Sequence, residues 1–366
     1  MNTKEWDILY ILPNLVLNQS YGNEYISIVP FNSSRLQNML KYDNCLSTFI
    51  GNFFDHRQSR IKPSAMIYNK QLMNEQHLTE AASSFRNILA ISVLPLECTA
   101  ISNGRYPNSP TYRWSDSFDF YPVTYNEGRF FTNEPGYRSF SSKGLVNIYG
   151  HTTPHVFRPH SINKILIDEE IYHTLSDCWR FHFIELMSTP NLISLFRSLE
   201  LANHALASPR RNNHSLYDLG VAVTLWVSAI ETLVYPLFNE AKRKYVSQLL
   251  GSYIWSDDRL NNKTWSYDTY SQNLIQRAYY YLFDLRNLFS HGDPVHLDMF
   301  RPYGRINLNL IDFAPILYRT ILYAYLKSSF ELAKVSNVSE YITTARIEQQ
   351  LLRIDRFNTL KKVIKK

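Results

Sequence analysis

A chain of 366 residues, 45% hydrophobic and 19% charged, is globular rather than disordered and long enough for two domains. Only 11 glycines argue against collagen-like, glycine-linker and Gly-rich phosphate-loop designs, and a formal charge of +6 permits an anionic partner such as RNA but suits a solvated basic surface equally. Cys45, Cys98 and Cys178 are odd in number and far apart, which suggests neither a disulfide scaffold nor a zinc finger and fits a reducing cytoplasm.

In chain order, Asp7–Leu12 is an apolar run of strand length, and Tyr25–Val29, closed by Pro30, reads as another strand. Residues 75–94 suit a helix, with Leu78, Ala81, Ala82, Phe85, Leu89 and Val93 near helical spacing. Residues 103–150 have no helical period and are expected to hold short strands and loops. Beyond about His160 the pattern turns helical. One helix is expected over 167–187. A second opens at Pro190 and carries an apolar stripe from Leu192 to Leu206. A third spans 218–235 and is stopped by Pro236. A short basic helix follows at 242–250. The helix at 271–291 turns Leu274, Ala278, Leu282, Leu285 and Phe289 inward, with Gly292 as its cap and Pro294 as a block. A last core helix covers 314–335, and the short connections suggest a bundle. The tail, 340–366, reads as a basic helix with a seam of Ile347, Leu351, Ile354 and Phe357 docked on the body or on a second subunit; RNA or membrane-surface contact is the alternative. The expected fold class is α+β: a mixed α/β, strand-containing N-terminal domain over 1–165, then an all-α bundle over 166–366. No charged-then-apolar leader opens the chain, and no run of about 18 apolar residues marks a membrane span. A cytoplasmic protein with no membrane partner is expected.

The segment from Asp284 to Pro294 concentrates the chemistry. Arg286 can fork onto a phosphate, Asn287 is a polar amide, and His291 can carry a proton. Asn287 and His291 are four residues apart and share a helix face. His291 falls in the last turn, where free carbonyls and the dipole attract a cation. A plain helix end, with His291 as a capping donor, explains the same residues. The spacing itself is weak, because Arg197 and His204 form a second such pair; those two lie within an uninterrupted amphipathic helix and read as surface or core-edge groups. Asp168, Glu169 and Glu170 suit the first turn of a helix better than a metal. Tyr279, Tyr280 and Tyr281 offer rings for base stacking, but at least one must turn into the bundle. Lys242, Arg243 and Lys244 are candidate RNA-steering groups or simply a solvated face. No Walker-type phosphate loop, HExxH, GxSxG or zinc-deaminase pattern is present, so neither metal nor cofactor is expected.

Read together, the stretches 225–233, 242–246 and 284–292, preceded by Phe196–Ala205, resemble the Apea-like branch of the HEPN superfamily over roughly residues 190–335. The resemblance implies a helical bundle that dimerises, with two Arg-polar-x-x-x-His motifs facing one cleft, and a metal-independent ribonuclease of bacterial defence or toxin systems. Its Arg and His fall on Arg286 and His291, its polar residue on Asn287, and Glu231 stands where relatives often carry an acid. RNA would be the substrate, with a trigger or inhibitor still to be named. The strand-containing domain would sense or restrain. The rival readings are a non-catalytic dimerisation or RNA/nucleotide-binding module, and a packaging role for the helices.

Overall fold

The computed structural model describes residues 5–54, 59–73, 75–102, 117–126, 129–132, 160–162, 167–207, 215–240, 242–263, 265–267, 270–300, 310–335 and 343–352. The chain divides into two compact units: Met1–Ala90 with Tyr112–Leu166, and Ile91–Thr111 with Ile167–Lys366. Strands gather in the first and helices dominate the second, an α+β architecture.

The first unit opens with β1 (Trp6–Leu12), β2 (Leu15–Leu17), β3 (Tyr21–Gly22) and β4 (Ile26–Val29). Two short helices follow, α1 (Ser34–Tyr42) and α2 (Asn44–Gly51), and then β5 (Ser64–Asn69). An antiparallel sheet runs β1-β5-β4-β3, with a register shift between Ile8 and Tyr10. Asp43 ends α1 and begins α2: its carboxylate accepts from the Leu46 amide at 2.9 Å, satisfying a free helix N–H. The core joins Ile8, Val29 and Ile67 of the sheet to Leu36, Phe49 and Phe53. Helix α3 (Leu78–Ser102) follows, longer than expected, and the division between units falls inside it. Then come β6 (Val123–Asn126), β7 (Arg129–Thr132) and β8 (His160–Ile162). Most of 103–150 lies outside the described residues.

The second unit continues with α4 (Glu169–Phe183), α5 (Pro190–Ala207), α6 (Leu216–Phe238), α7 (Arg243–Gly251) and α8 (Asp258–Asn261). A small hairpin, β9 (Trp265–Tyr267) and β10 (Tyr270–Gln272), precedes α9 (Leu274–His291) and α10 (Leu310–Ser329). Residues 343–352 form α11, with Ile347 and Leu351 buried. The rest of the expected seam, Ile354 and Phe357, lies outside the described residues.

Other helix boundaries also differ from the sequence reading. Helix α6 passes through Pro236 to Phe238 and ends on Asn239 in the left-handed region. A proline in the final turn forfeits one backbone bond but still adopts helical φ, so it need not stop the helix at once. Helix α9 starts at Leu274, because Tyr270–Gln272 pairs as a strand and Asn273 and Gln276 form a reciprocal capping box. Helix α10 begins four residues early, at Leu310, and ends at Ser329.

Helix α6 is the hub, packing against α5, α7, α9 and α10. Ser198 on α5 ties three helices together: its hydroxyl donates to the Ala229 carbonyl at 2.7 Å and meets the Tyr318 hydroxyl at 2.8 Å. Among the described residues α6 is the one helix long and apolar enough to cross a membrane, contrary to the expectation of no such run. Asp218 and Glu231 break the apolar sequence to the eye but not its average. Ten of its residues, Trp226, Ile230 and Leu233 among them, are buried against the neighbouring helices, which accounts for the composition.

Candidate functional site

Helix α9 brings its polar residues to a defined end. Gly292 adopts φ +75 and donates to the Leu288 and Phe289 carbonyls, and the Asp293 amide reaches Leu288 at 2.9 Å. A β-carbon would be strained at that φ, so glycine sets where the helix stops. His291 is therefore the last helical residue, and it is exposed. Phe289, two residues earlier, lies against α6 at Gly220, where an added Cβ would come within 2.5 Å of the ring. The missing side chain at Gly220 is what lets the end of α9 pack onto α6.

Arg286 reaches across from α9 to α6. Its Nη2 donates to Glu231 Oε1 at 3.0 Å, and its guanidinium lies 4.6 Å from the centre of the Phe283 ring. The two side chains are 23% and 18% exposed, a half-buried position between core and solvent. Nη2 is the guanidinium nitrogen used; Nη1 bonds no described residue, and Nε is buried without a partner. Burial pushes the Glu231 carboxyl above the ordinary carboxylate range, and the charge and hydrogen bond of Arg286 only partly offset this. Close by lies Tyr279, fully buried, with a hydroxyl that has no partner among the described residues. Burial first, and then nearby Glu231, push that phenol well above its usual range.

A second pair flanks the first. Arg243, the first residue of α7, donates to Asp284 at 2.9 Å and lies over the rings of Tyr280 at 4.4 Å and Phe283 at 5.3 Å. Phe283 thus touches both guanidinium groups. Burial raises the Asp284 carboxyl, with Arg243 opposing. Sequence reasoning passed over Phe283 and Asp284 as site residues, although the i, i+3 spacing of Phe283 and Arg286 was a usable signal. The Arg243–Asp284 contact joins residues 41 positions apart and had no local signature.

Among the sequence candidates, then, Arg286 and Glu231 are brought together, while Asn287 and His291 have no side-chain hydrogen bond or ion pair among the described residues. Lys242 occupies the N-cap position of α7 without a side-chain capping bond and pairs with Glu240 at 2.8 Å; Lys244 lies 4.6 Å from the Tyr245 ring. Arg197 and His204 are exposed on α5, and His204 pairs with Glu200 at 3.0 Å, a surface role. Tyr279 and Tyr280 are buried and the Tyr281 hydroxyl accepts from Arg277, so the three do not form an open stacking face. Asp168 is the N-cap of α4 and is bound to Arg319, and Tyr323 donates to Glu170. Those acids organise the fold, and among the described residues no group of three His, Cys, Asp or Glu could hold a metal ion.

No family model, curated protein or solved structure matches the chain.

Proposed function

We propose that the second unit is an HEPN-type bundle that cleaves RNA as a homodimeric, metal-independent endoribonuclease in an anti-phage or toxin-like setting. The observation that supports it best is Arg286: one arm of its fork is held by Glu231 at 3.0 Å while Nη1 bonds no described residue. An arginine oriented by a carboxylate in this way is pre-set to receive a phosphate oxygen.

His291 of one copy takes the proton of an RNA 2′-hydroxyl, and that oxygen attacks the adjacent phosphorus in line. Arg286 stabilises the negative charge gathering on the phosphate. His291 of the second copy gives a proton to the departing 5′ oxygen. The products are a 2′,3′-cyclic phosphate and a free 5′-hydroxyl, and DNA, lacking the 2′-hydroxyl, stays intact. Asn287, one turn before His291, orients its ring or donates to phosphate. Lys242 and Lys244, both exposed, draw in the RNA backbone. Helix α6 supports the dimer. Tyr217, Val221 and Tyr235 are exposed, and by helical spacing Tyr217 and Tyr235 lie about 40° and Val221 about 80° from Glu231 around the axis. An apolar face beside the Arg286–Glu231 pair suits a second copy that brings in its own His291.

Incubation of the full chain with RNA in EDTA tests the proposal. Cleavage to cyclic-phosphate ends, lost in both Arg286→Ala and His291→Ala, is expected. Absence of cleavage by the intact protein, or its survival in both variants, overturns the proposal. RNA retained but never cut assigns the bundle to binding alone.

A further inference from the structure

Away from Arg286, the second unit holds a cavity of about 420 Å³ between the segment after α7, the last turns of α10 and the start of α11. That volume suits a small metabolite. Its lining includes no carboxylate and has Lys327 as its cation. Lys327, Ser256 and Thr344 come from three separate segments, and their side-chain donors bond no described residue.

The remaining hydroxyls are of another kind. Ser252 donates to the Leu249 carbonyl at 2.7 Å and Ser328 to the Tyr325 carbonyl at 2.9 Å. With their protons engaged, these oxygens meet a ligand as acceptors. Tyr253 and Tyr323 meet edge to face at 5.3 Å, and their hydroxyls are tied to Arg319 and Glu170. What these two offer the cavity is ring carbon, held in place by the charged network beneath.

An ammonium and two free hydroxyl donors call for an anion with several acceptor oxygens. Spent hydroxyls beside aromatic carbon call for a ligand that carries O–H donors and apolar C–H faces. We propose that this cavity binds a phosphorylated sugar, its phosphate on Lys327, Ser256 and Thr344 and its ring against Tyr253 and Tyr323. The proposal is independent of RNA cleavage.

Titration calorimetry on the full chain with glucose 6-phosphate and ribose 5-phosphate tests it, with glucose and inorganic phosphate as separate arms. At least one sugar phosphate is expected to bind about tenfold more tightly than either fragment, and Lys327→Ala to weaken it by about the same factor. Ser328→Phe, which fills the cavity from α10, is expected to abolish binding, with thermal melting of both variants confirming that they fold. Equal binding of inorganic phosphate and the sugar phosphates overturns the sugar assignment. No binding, or binding indifferent to both substitutions in folded protein, overturns the site.

Discussion

Arg319 and Arg286 each meet a carboxylate at hydrogen-bond distance, 2.8 Å to Asp168 and 3.0 Å to Glu231, yet their surroundings give them opposite roles. Arg319 and Asp168 are 2% and 3% exposed, and two of the three guanidinium nitrogens and both carboxylate oxygens are bonded. Nε goes to Asp168, Nη1 to the Tyr253 hydroxyl at 2.8 Å, and the other Asp168 oxygen caps α4. Arg286 and Glu231 are half-buried, with one guanidinium nitrogen bonded and the other two without a partner among the described residues. Near-complete burial, with both carboxylate oxygens engaged, marks a pair that holds helices together. Partial exposure with unbonded guanidinium nitrogens marks a pair that can accept a third party.

The greatest difference is expected in folding. Arg319→Ala leaves Asp168 charged and sealed from water, and should cost about 3–5 kcal/mol in urea unfolding. Arg286→Ala should cost less than about 2 kcal/mol, because Glu231 is nearer water and, with its proton affinity already raised by burial, can neutralise itself. Equal losses from the two substitutions would dissolve the distinction. In activity the order reverses: Arg286→Ala should lower RNA cleavage by about 10²–10³-fold in a single-turnover assay, the typical effect of removing one donor to a developing oxyanion.

Gly220→Ala probes the support for the same end of α9. The new Cβ must displace Phe289, and a loss of about 1–3 kcal/mol in unfolding, with reduced cleavage, is the expected outcome. The smallest effect is in pH dependence. Glu231 and Asp284 both have raised pKa values in the folded chain, so the folded state holds more protons than the unfolded state. Their contribution to stability is therefore full at low pH and is lost as pH rises from the ordinary carboxylate range through the raised values. Urea midpoints measured across that window should decline from this contribution, and Glu231→Gln should flatten part of the slope.

Local spacing made the helices readable. The stripe of Leu192, Leu195 and Leu199 and the cap at Gly292 are written in neighbouring residues, because helical period and a left-handed cap depend on side chains one turn apart. His291 could be placed at a helix tip for the same reason. The start of α9 was misjudged because Tyr270–Gln272 found a strand partner and Asn273 capped the helix, an outcome that local helical pattern does not register.

What residues could not announce along the chain is which charges would meet. Asp168 with Arg319 and Arg243 with Asp284 are contacts over 151 and 41 positions, and the Phe289 ring found Gly220 only when α9 crossed α6. Chain order encodes period, caps and the chemistry available in each turn. Packing chose which arginine was sealed and which kept a free arm, because desolvation depends on everything that surrounds a group and not on its neighbours in sequence.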